Sequence, residues 1–260
     1  LTSKPKEKDI KFVKHHLYGI KSVKKNFSTG LWLKLATKKI KDQWRKKKIP
    51  IIVGGTGLYF KALTEGLVEI PDIPNNLRKQ VRKLHKKIGQ KNFYIQLIKL
   101  DPLAGKFVLP SDTQRLIRAY EVKKFTNKSL FKLKKKTKSK FKSDVFRKIF
   151  INIPKELLHK KIEKRVDKMF VDGAIDEAKK FYSMKINKEL SANKIIGIKE
   201  IADYLKGHTA LTRAKELIKL KTRQYSKRQF TWARGHMKSW NMIYSSDLDD
   251  LLKKAINKIS

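Results

Sequence analysis

Ile49-Pro50-Ile51-Ile52-Val53-Gly54-Gly55-Thr56-Gly57-Leu58-Tyr59-Phe60 is the stretch that decides the fold class. A short β-branched apolar run reads as a buried strand. It runs straight into a glycine-rich turn, and helical spacing takes over from Leu58 to Leu67. Strand, glycine turn and helix make an α/β unit whose loop lies at the carboxyl end of the strand, where such sheets bind ligands. The backbone N–H groups of Gly54–Gly57, with the helix N-terminus behind them, can cradle an anion. A plain strand–helix turn is the commoner use of such a loop. No lysine follows at phosphate-loop spacing, and GxxxxGK(S/T) occurs nowhere in the 260 residues. Thr56 either offers its hydroxyl to a substrate or caps the helix.

Outward from this unit, Ile149-Phe150-Ile151-Asn152-Ile153 supplies a second strand, yet the chain is short of strands for a complete parallel sheet. Most of the rest is helical. Ser28 to Lys48 is helix-compatible, with Leu31, Leu35, Ile40 and Trp44 as buried positions. Pro71 to Lys148 is helical and strongly basic; Asp101 and Asp112 read as helix caps. The lysine-dense segment 132–142 reads as a solvated, mobile connection. After Pro154, the residues Leu158, Ile162, Val166, Met169 and Phe170 share one apolar face that ends at Asp172-Gly173. Helices are expected at 174–182, 192–205 and 210–234, with a short last one starting at Asp247.

Composition narrows the function. Lys and Arg number 65 against 23 acids, a formal net charge of +42, which suits a polyanionic partner because neutralised phosphates release counterions. A lysine excess accompanied by many Ile and Asn also arises from genomic base composition, so positioned arginines say more than the total. Five of the 11 arginines lie in two short segments, Gln114–Arg118 and Arg223–Arg234. Arg115 and Arg118 share a helical face, which suits pyrophosphate or nucleic-acid phosphate, or else a solvated face paired with Glu121. In Arg223-Gln224-Tyr225-Ser226-Lys227-Arg228-Gln229-Phe230-Thr231-Trp232-Ala233-Arg234, cations interleave with aromatics. That mixture grips RNA backbone and stacks exposed bases; an amphipathic helix with Tyr225, Phe230 and Trp232 buried is the plainer reading. With no cysteine there is no disulfide, Cys-based zinc site or thiol nucleophile. No apolar run reaches transmembrane length, no signal-peptide core opens the chain, and adjacent His15 and His16 point their rings apart. A cytoplasmic protein is the expectation.

Taken together, these segments resemble the tRNA dimethylallyltransferases, also called tRNA isopentenyltransferases. Leu1-Thr2-Ser3-Lys4-Pro5 is similar to the family's G-T-A-K-P, and His15-His16-Leu17 to its P-H-H-L. Ile51–Phe60 is similar to its strand and glycine loop. Pro110–Val122 resembles P-N-D-x-Q-R-x-x-R-A-x-E-V, Asn193–Glu200 its A-x-x-x-I-G-Y-K-E region, and Arg223–Arg234 its R-Q-Y-A-K-R-Q-x-T-W-x-R. The motifs follow one order along nearly the whole chain, and it is the order that makes them specific. Departures are Ser111 for Asn, Ile198 for Tyr, Ser226 for Ala, and Ala233 for a large residue.

The resemblance implies an α/β fold: a P-loop-type, nucleotide- and ATP-binding parallel-sheet core with a helical insertion. Here the core is residues 1–71 and 149–260, incomplete, with the first strand and phosphate loop missing. Residues 72–148 are the basic helical insertion that contacts RNA. The implied reaction moves a dimethylallyl group from dimethylallyl diphosphate to N6 of the adenosine next to the anticodon, position 37 of tRNA, with Mg2+. The partner is the tRNA anticodon stem-loop, no membrane is involved, and the protein is a monomer. By resemblance Thr56 lines the reaction channel, and Arg78 touches RNA. Gln114, Arg115, Leu116, Ile117 and Arg118 belong to the same tRNA surface, with Arg115 or Arg118 near pyrophosphate. Ile195, Ile196, Gly197, Ile198, Lys199 and Glu200 extend it, as do Lys227, Arg228, Gln229, Phe230, Thr231, Trp232, Ala233 and Arg234. The family's phosphate loop and general-base aspartate would precede Leu1, so no catalytic residue and no metal ligand is assigned, and the chain alone is expected to be inactive. A catalytically inactive tRNA-binding protein is the alternative. A small-molecule phosphotransferase accounts for the glycine loop but not for the 223–234 segment.

Overall fold

The computed structural model describes residues 5, 7–135, 137–188 and 190–259. Of the Leu1–Pro5 stretch, all but Pro5 therefore lies outside the described residues. The elements are α1 (Glu7–Phe12), α2 (Thr29–Arg45), α3 (Gly57–Thr64), α4 (Asn75–Leu100), α5 (Thr113–Thr126), α6 (Leu130–Lys135) and β1 (Ile149–Asn152). They continue with α7 (Lys155–Val171), α8 (Ala174–Ser183), α9 (Ile198–Leu205), α10 (Leu211–His236), β2 (Asn241–Tyr244) and α11 (Leu248–Ile256). The chain divides into two compact units, Leu1–Lys61 with Lys142–Ser260, and Ala62–Phe141.

In the first unit, α10 packs against α7 and α9, and α8 lies on both α7 and α9. Their shared core is Ile162, Val166, Ala174, Ala178, Ile201 and Ile218, with Leu158, Met169 and Phe170 around it, so the face expected on α7 is the face that is buried. Small Ala174 and Ala178 let α8 close on its neighbours. The turn from α7 into α8 is made by Gly173 at φ 90°, a conformation that a side chain disfavours. Asp247 caps α11, accepting from the Asp250 N–H at 2.8 Å. β1 and β2 pair in parallel, Ile149 opposite Asn241 through Asn152 opposite Tyr244.

Three expectations for this unit are corrected. Ile49–Val53 is neither a strand nor buried: Ile49, Ile51 and Val53 are 90%, 82% and 76% exposed, and the sheet among the described residues pairs other segments. A β-branched run becomes a strand only where a neighbour completes its ladder. In α2 the inward face is Leu33, Ala36 and Ile40, while Trp44 is exposed; Trp32 instead stacks on Tyr59 at 4.4 Å, and that contact sets the rotation of the helix. The helix expected over 192–205 is split at Gly197, where φ is 104°.

The second unit is built on α4 against α5. Its core is Val81, Phe93, Leu97, Ala104, Val108, Leu116 and Ala119. Asp112 caps α5 as expected, accepting from the Arg115 N–H at 3.1 Å. Asp101 is buried, precedes the 3-10 turn Pro102–Lys106, and makes no capping bond through its side chain. Gly89 (φ 76°, ψ 169°) breaks α4 in the middle. The lysine-dense segment begins as α6 and is later tied to α3, because the Ser139 hydroxyl donates to the Leu63 carbonyl at 2.9 Å.

Candidate functional site

The glycine loop and the aromatic–basic helix, far apart in sequence, meet in the first unit. Gln229 Nε2 of α10 donates to the Gly55 carbonyl at 2.9 Å. A Cβ on Gly57 would overlap the Trp232 ring, and one on Gly55 would overlap the Gln229 amide. Gly57 therefore serves close approach to a ring rather than an unusual turn, whereas at Gly55 the neighbour is the flexible end of Gln229. Trp232 is held in turn by His236, whose ring stacks on it at 4.4 Å and 8°. Thr56 is exposed at the start of α3, where its carbonyl accepts the Tyr59 N–H at 2.9 Å. It stands at the start of the helix, and the residue is open to solvent.

Around α10 the remaining residues divide by face. Lys227, Arg228, Thr231 and Arg234 are exposed, Phe230 is half-buried and Ala233 is buried. Arg234 lies over the Phe230 ring at 5.4 Å and Arg228 over Tyr225 at 5.8 Å. Such stacking holds guanidinium planes in place. Arg223 is half-buried and pairs with Glu163 of α7. Ala233, which departs from the large residue of the family pattern, lies inside the protein.

The segment ahead of and into α9 presents less than the sequence implies. Gly197, Ile198 and Glu200 are buried, Ile195 and Ile196 are half-buried, and Lys199 is exposed. Glu200 accepts the Gly197 N–H at 2.8 Å and pairs with Lys221 of α10. Burial raises its pKa, but hydrogen bonds from Lys221, its own N–H and Gly197, with the Lys221 charge, outweigh that and hold it below the ordinary value. Its side chain ties α9 to α10, so the surface expected of Ile198 and Glu200 is corrected to an internal role.

In the second unit, Gln114 and Arg115 are exposed, Ile117 is half-buried and Leu116 is fully buried in the core. Leu116 therefore cannot offer its side chain to RNA, a correction that follows from the helical period: its face is the one turned to α4. Arg115 pairs with Asp112 at 3.2 Å, and Arg118 with buried Glu121 at 3.4 Å. Arg78 is half-buried in the first turn of α4. The sequence reading missed Gln90. Its Nε2 donates to the Pro110 carbonyl at 2.5 Å, and its Oε1 accepts from Thr113 Oγ1 at 2.9 Å and from His85 Nε2 at 2.7 Å. A glutamine directly after an interior helix glycine was the signal available.

A further basic cluster surrounds the His15-His16 segment. Burial, and then the charges of Lys39, Lys14, Lys46 and His15, lower the His16 pKa. No helix among the described residues is long and apolar enough to cross a membrane.

The IPP transferase family profile matches residues 1–236. Over 254 residues the chain is 50% identical to a tRNA dimethylallyltransferase of Pelagibacter ubique, covering 98% of this chain and 81% of that protein. It is 43% identical to one of Rickettsia massiliae, covering 91% and 66%. Among solved structures, the full-length tRNA isopentenylpyrophosphate transferase of Bacillus halodurans superposes with a TM-score of 0.66 at 29% identity, covering 98% of this chain and 82% of that one. A eukaryotic dimethylallyltransferase, described as acting on tRNA, gives 0.81 at 25% identity over 97% of this chain and 66% of that one. The two-stranded parallel pair framed by helices and the glycine loop held against α10 are thus features of a chain that belongs to the IPP transferase family.

Proposed function

We propose that the protein is a tRNA dimethylallyltransferase, moving a dimethylallyl group from dimethylallyl diphosphate to N6 of adenosine 37 in tRNA. Family membership and the 50% identical relative support the activity. The observation that carries it to residues is the contact of the RNA-type helix α10 with the loop of Thr56. In the reaction a bond forms from N6 to C1 of the dimethylallyl group, the C1–O bond breaks, and diphosphate leaves with the electron pair while N6 gives up a proton. An exocyclic amine within a stacked loop is out of reach, so the base must leave the stack first. Exposed aromatic and guanidinium surface on α10 suits that task.

On this reading Thr56 lines the channel. Gln114, Arg115 and Arg118 of one unit, and Lys199, Lys227, Arg228, Thr231 and Arg234 of the other, contact the anticodon stem-loop. Arg78 contributes a phosphate contact from the α4 N-terminus, where the helix dipole adds to its charge. Mg2+ belongs to the proposal as the diphosphate's counter-ion. The described residues gather no group of three His, Asp or Glu side chains fit to hold it, so no step is routed through it. The proposed setting is a cytoplasmic monomer, kept apart from its own kind by its net charge of +42.

The test is direct. Full-length protein incubated with dimethylallyl diphosphate and unmodified tRNA should yield prenylated adenosine after nucleoside digestion. Tight, salt-sensitive tRNA binding with no prenylated nucleoside would overturn the transferase reading in favour of an RNA-binding protein.

A further inference from the structure

We propose that Gln229 and Trp232 are positioning residues for the Thr56 loop and not RNA contacts, so that α10 reads RNA on one face and sets the loop with the other. The activity arm of this inference rests on the transferase reading above.

Helical spacing separates the two sets of residues. Gln229, Trp232 and His236 follow i, i+3, i+7 and share one face; Lys227, Thr231 and Arg234 follow i, i+4, i+7 on the opposite face. Exposure divides the same way for the residues at issue: Gln229 and Trp232 are half-buried, whereas Lys227, Thr231 and Arg234 are exposed. On the loop side, Gln229 Nε2 holds the Gly55 carbonyl at 2.9 Å, and the Trp232 ring occupies the space a Gly57 side chain would need. His236 stacks on that ring, and its own ring is tied by Nδ1, 3.1 Å from the Trp232 backbone carbonyl.

The hydrogen bond has a directional consequence. In a trans peptide the C=O and N–H point opposite ways. Anchoring the Gly55 carbonyl on α10 therefore turns the Thr56 N–H away from the helix, in a residue that is itself exposed. Two donors of one residue, amide and hydroxyl, are thereby presented together. A group that becomes negative during transfer, such as the departing diphosphate oxygen, is the chemistry they suit. RNA bound on the opposite face of α10 would steady the same helix and, through it, the loop.

The experiment uses full-length protein with Gln229→Leu, which removes the donor at similar size, and Gln229→Glu, which replaces it with an acceptor. Trp232→Phe serves as the milder packing variant should either fail to fold. Steady-state kinetics, tRNA affinity, amide exchange over residues 54–58 and thermal melting are measured together. A lost positioning bond should lower kcat about ten-fold, change KM for tRNA less than about two-fold, and speed exchange in 54–58 with little change elsewhere. An RNA-contact role would instead raise KM for tRNA about ten-fold while kcat at saturation and loop exchange stay as in the parent, and that result overturns the proposal. Should the parent protein make no prenylated adenosine, the transferase reading fails by itself. The exchange arm then decides: unaltered exchange over 54–58 in Gln229→Leu overturns the positioning role.

Discussion

Glu200 shows how one side chain can be read three ways and settle on the least exposed. It falls in a motif associated with the RNA surface, it sits three residues after a glycine as a helix-capping glutamate does, and it carries charge into a buried place. The structure gives it the cap and the ion pair with Lys221. Its carboxyl titrates below the ordinary value in the folded protein, so the unfolded chain takes up the proton first as pH falls. The associated stability is present above the ordinary glutamate pKa, about 4.3, and is lost as the pH drops through the lower folded value. Glu200→Gln should therefore cost about 1–3 kcal/mol at pH 7 and flatten the fall of melting temperature with acid. Thermal melts of both proteins from neutral pH down to about pH 3 check this; parallel curves would remove Glu200 from the account.

At the level of elements, α4 and α5 illustrate what a hydrophobic pattern conveys and what it leaves out. The cap at Asp112, the apolar face of α7 and the start of α11 were legible because each depends on neighbours one or two turns away. The rotation of α2 was not, because it is set by Trp32 meeting Tyr59, a contact with no local signature. Nor was the Ile49–Val53 segment, whose fate depends on a partner strand rather than on its own residues. The motifs of the site were readable from their order, but the division of α10 into a face held against the glycine loop and an exposed basic face needed the fold. Gln90 belongs with the unreadable part: beside the break at Gly89 it joins α4 to the Pro110 carbonyl and the Thr113 hydroxyl, just ahead of Gln114 and Arg115. Gln90→Leu should lower stability by about 1–3 kcal/mol through unpaired polar groups. It should also weaken tRNA binding several-fold without touching an RNA-facing side chain. Denaturant melts with filter-binding or anisotropy titrations read both effects, and full affinity in a destabilised variant would separate the two roles.

For the whole molecule, a formal charge of +42 makes salt the natural probe. tRNA affinity should fall linearly on a log–log plot against salt, and each lost phosphate contact should reduce the slope by about 0.7–0.9. Changing Lys227, Arg228 and Arg234 together to alanine should lower the slope by about 2–3. An unaltered slope would put the phosphate contacts elsewhere among the lysines. Ile49, Ile51 and Val53, with Ile151, Met242 and Tyr244, expose apolar side chains in the first unit.

The parallel pairing of β1 with β2 also has a consequence in time. Asn152 ends β1 and Asn241 begins β2, so their alignment must wait until the 241 − 152 − 1 = 88 residues between them have been drawn together. The packing of α8 on α7 and α9 joins segments much closer in sequence, and contacts of that kind are the fast ones to make. The helical cluster should assemble first and carry the two strands into register as its last act. Ile243→Ala, in the buried position of β2, should then speed unfolding in stopped-flow experiments while leaving the refolding rate nearly unchanged.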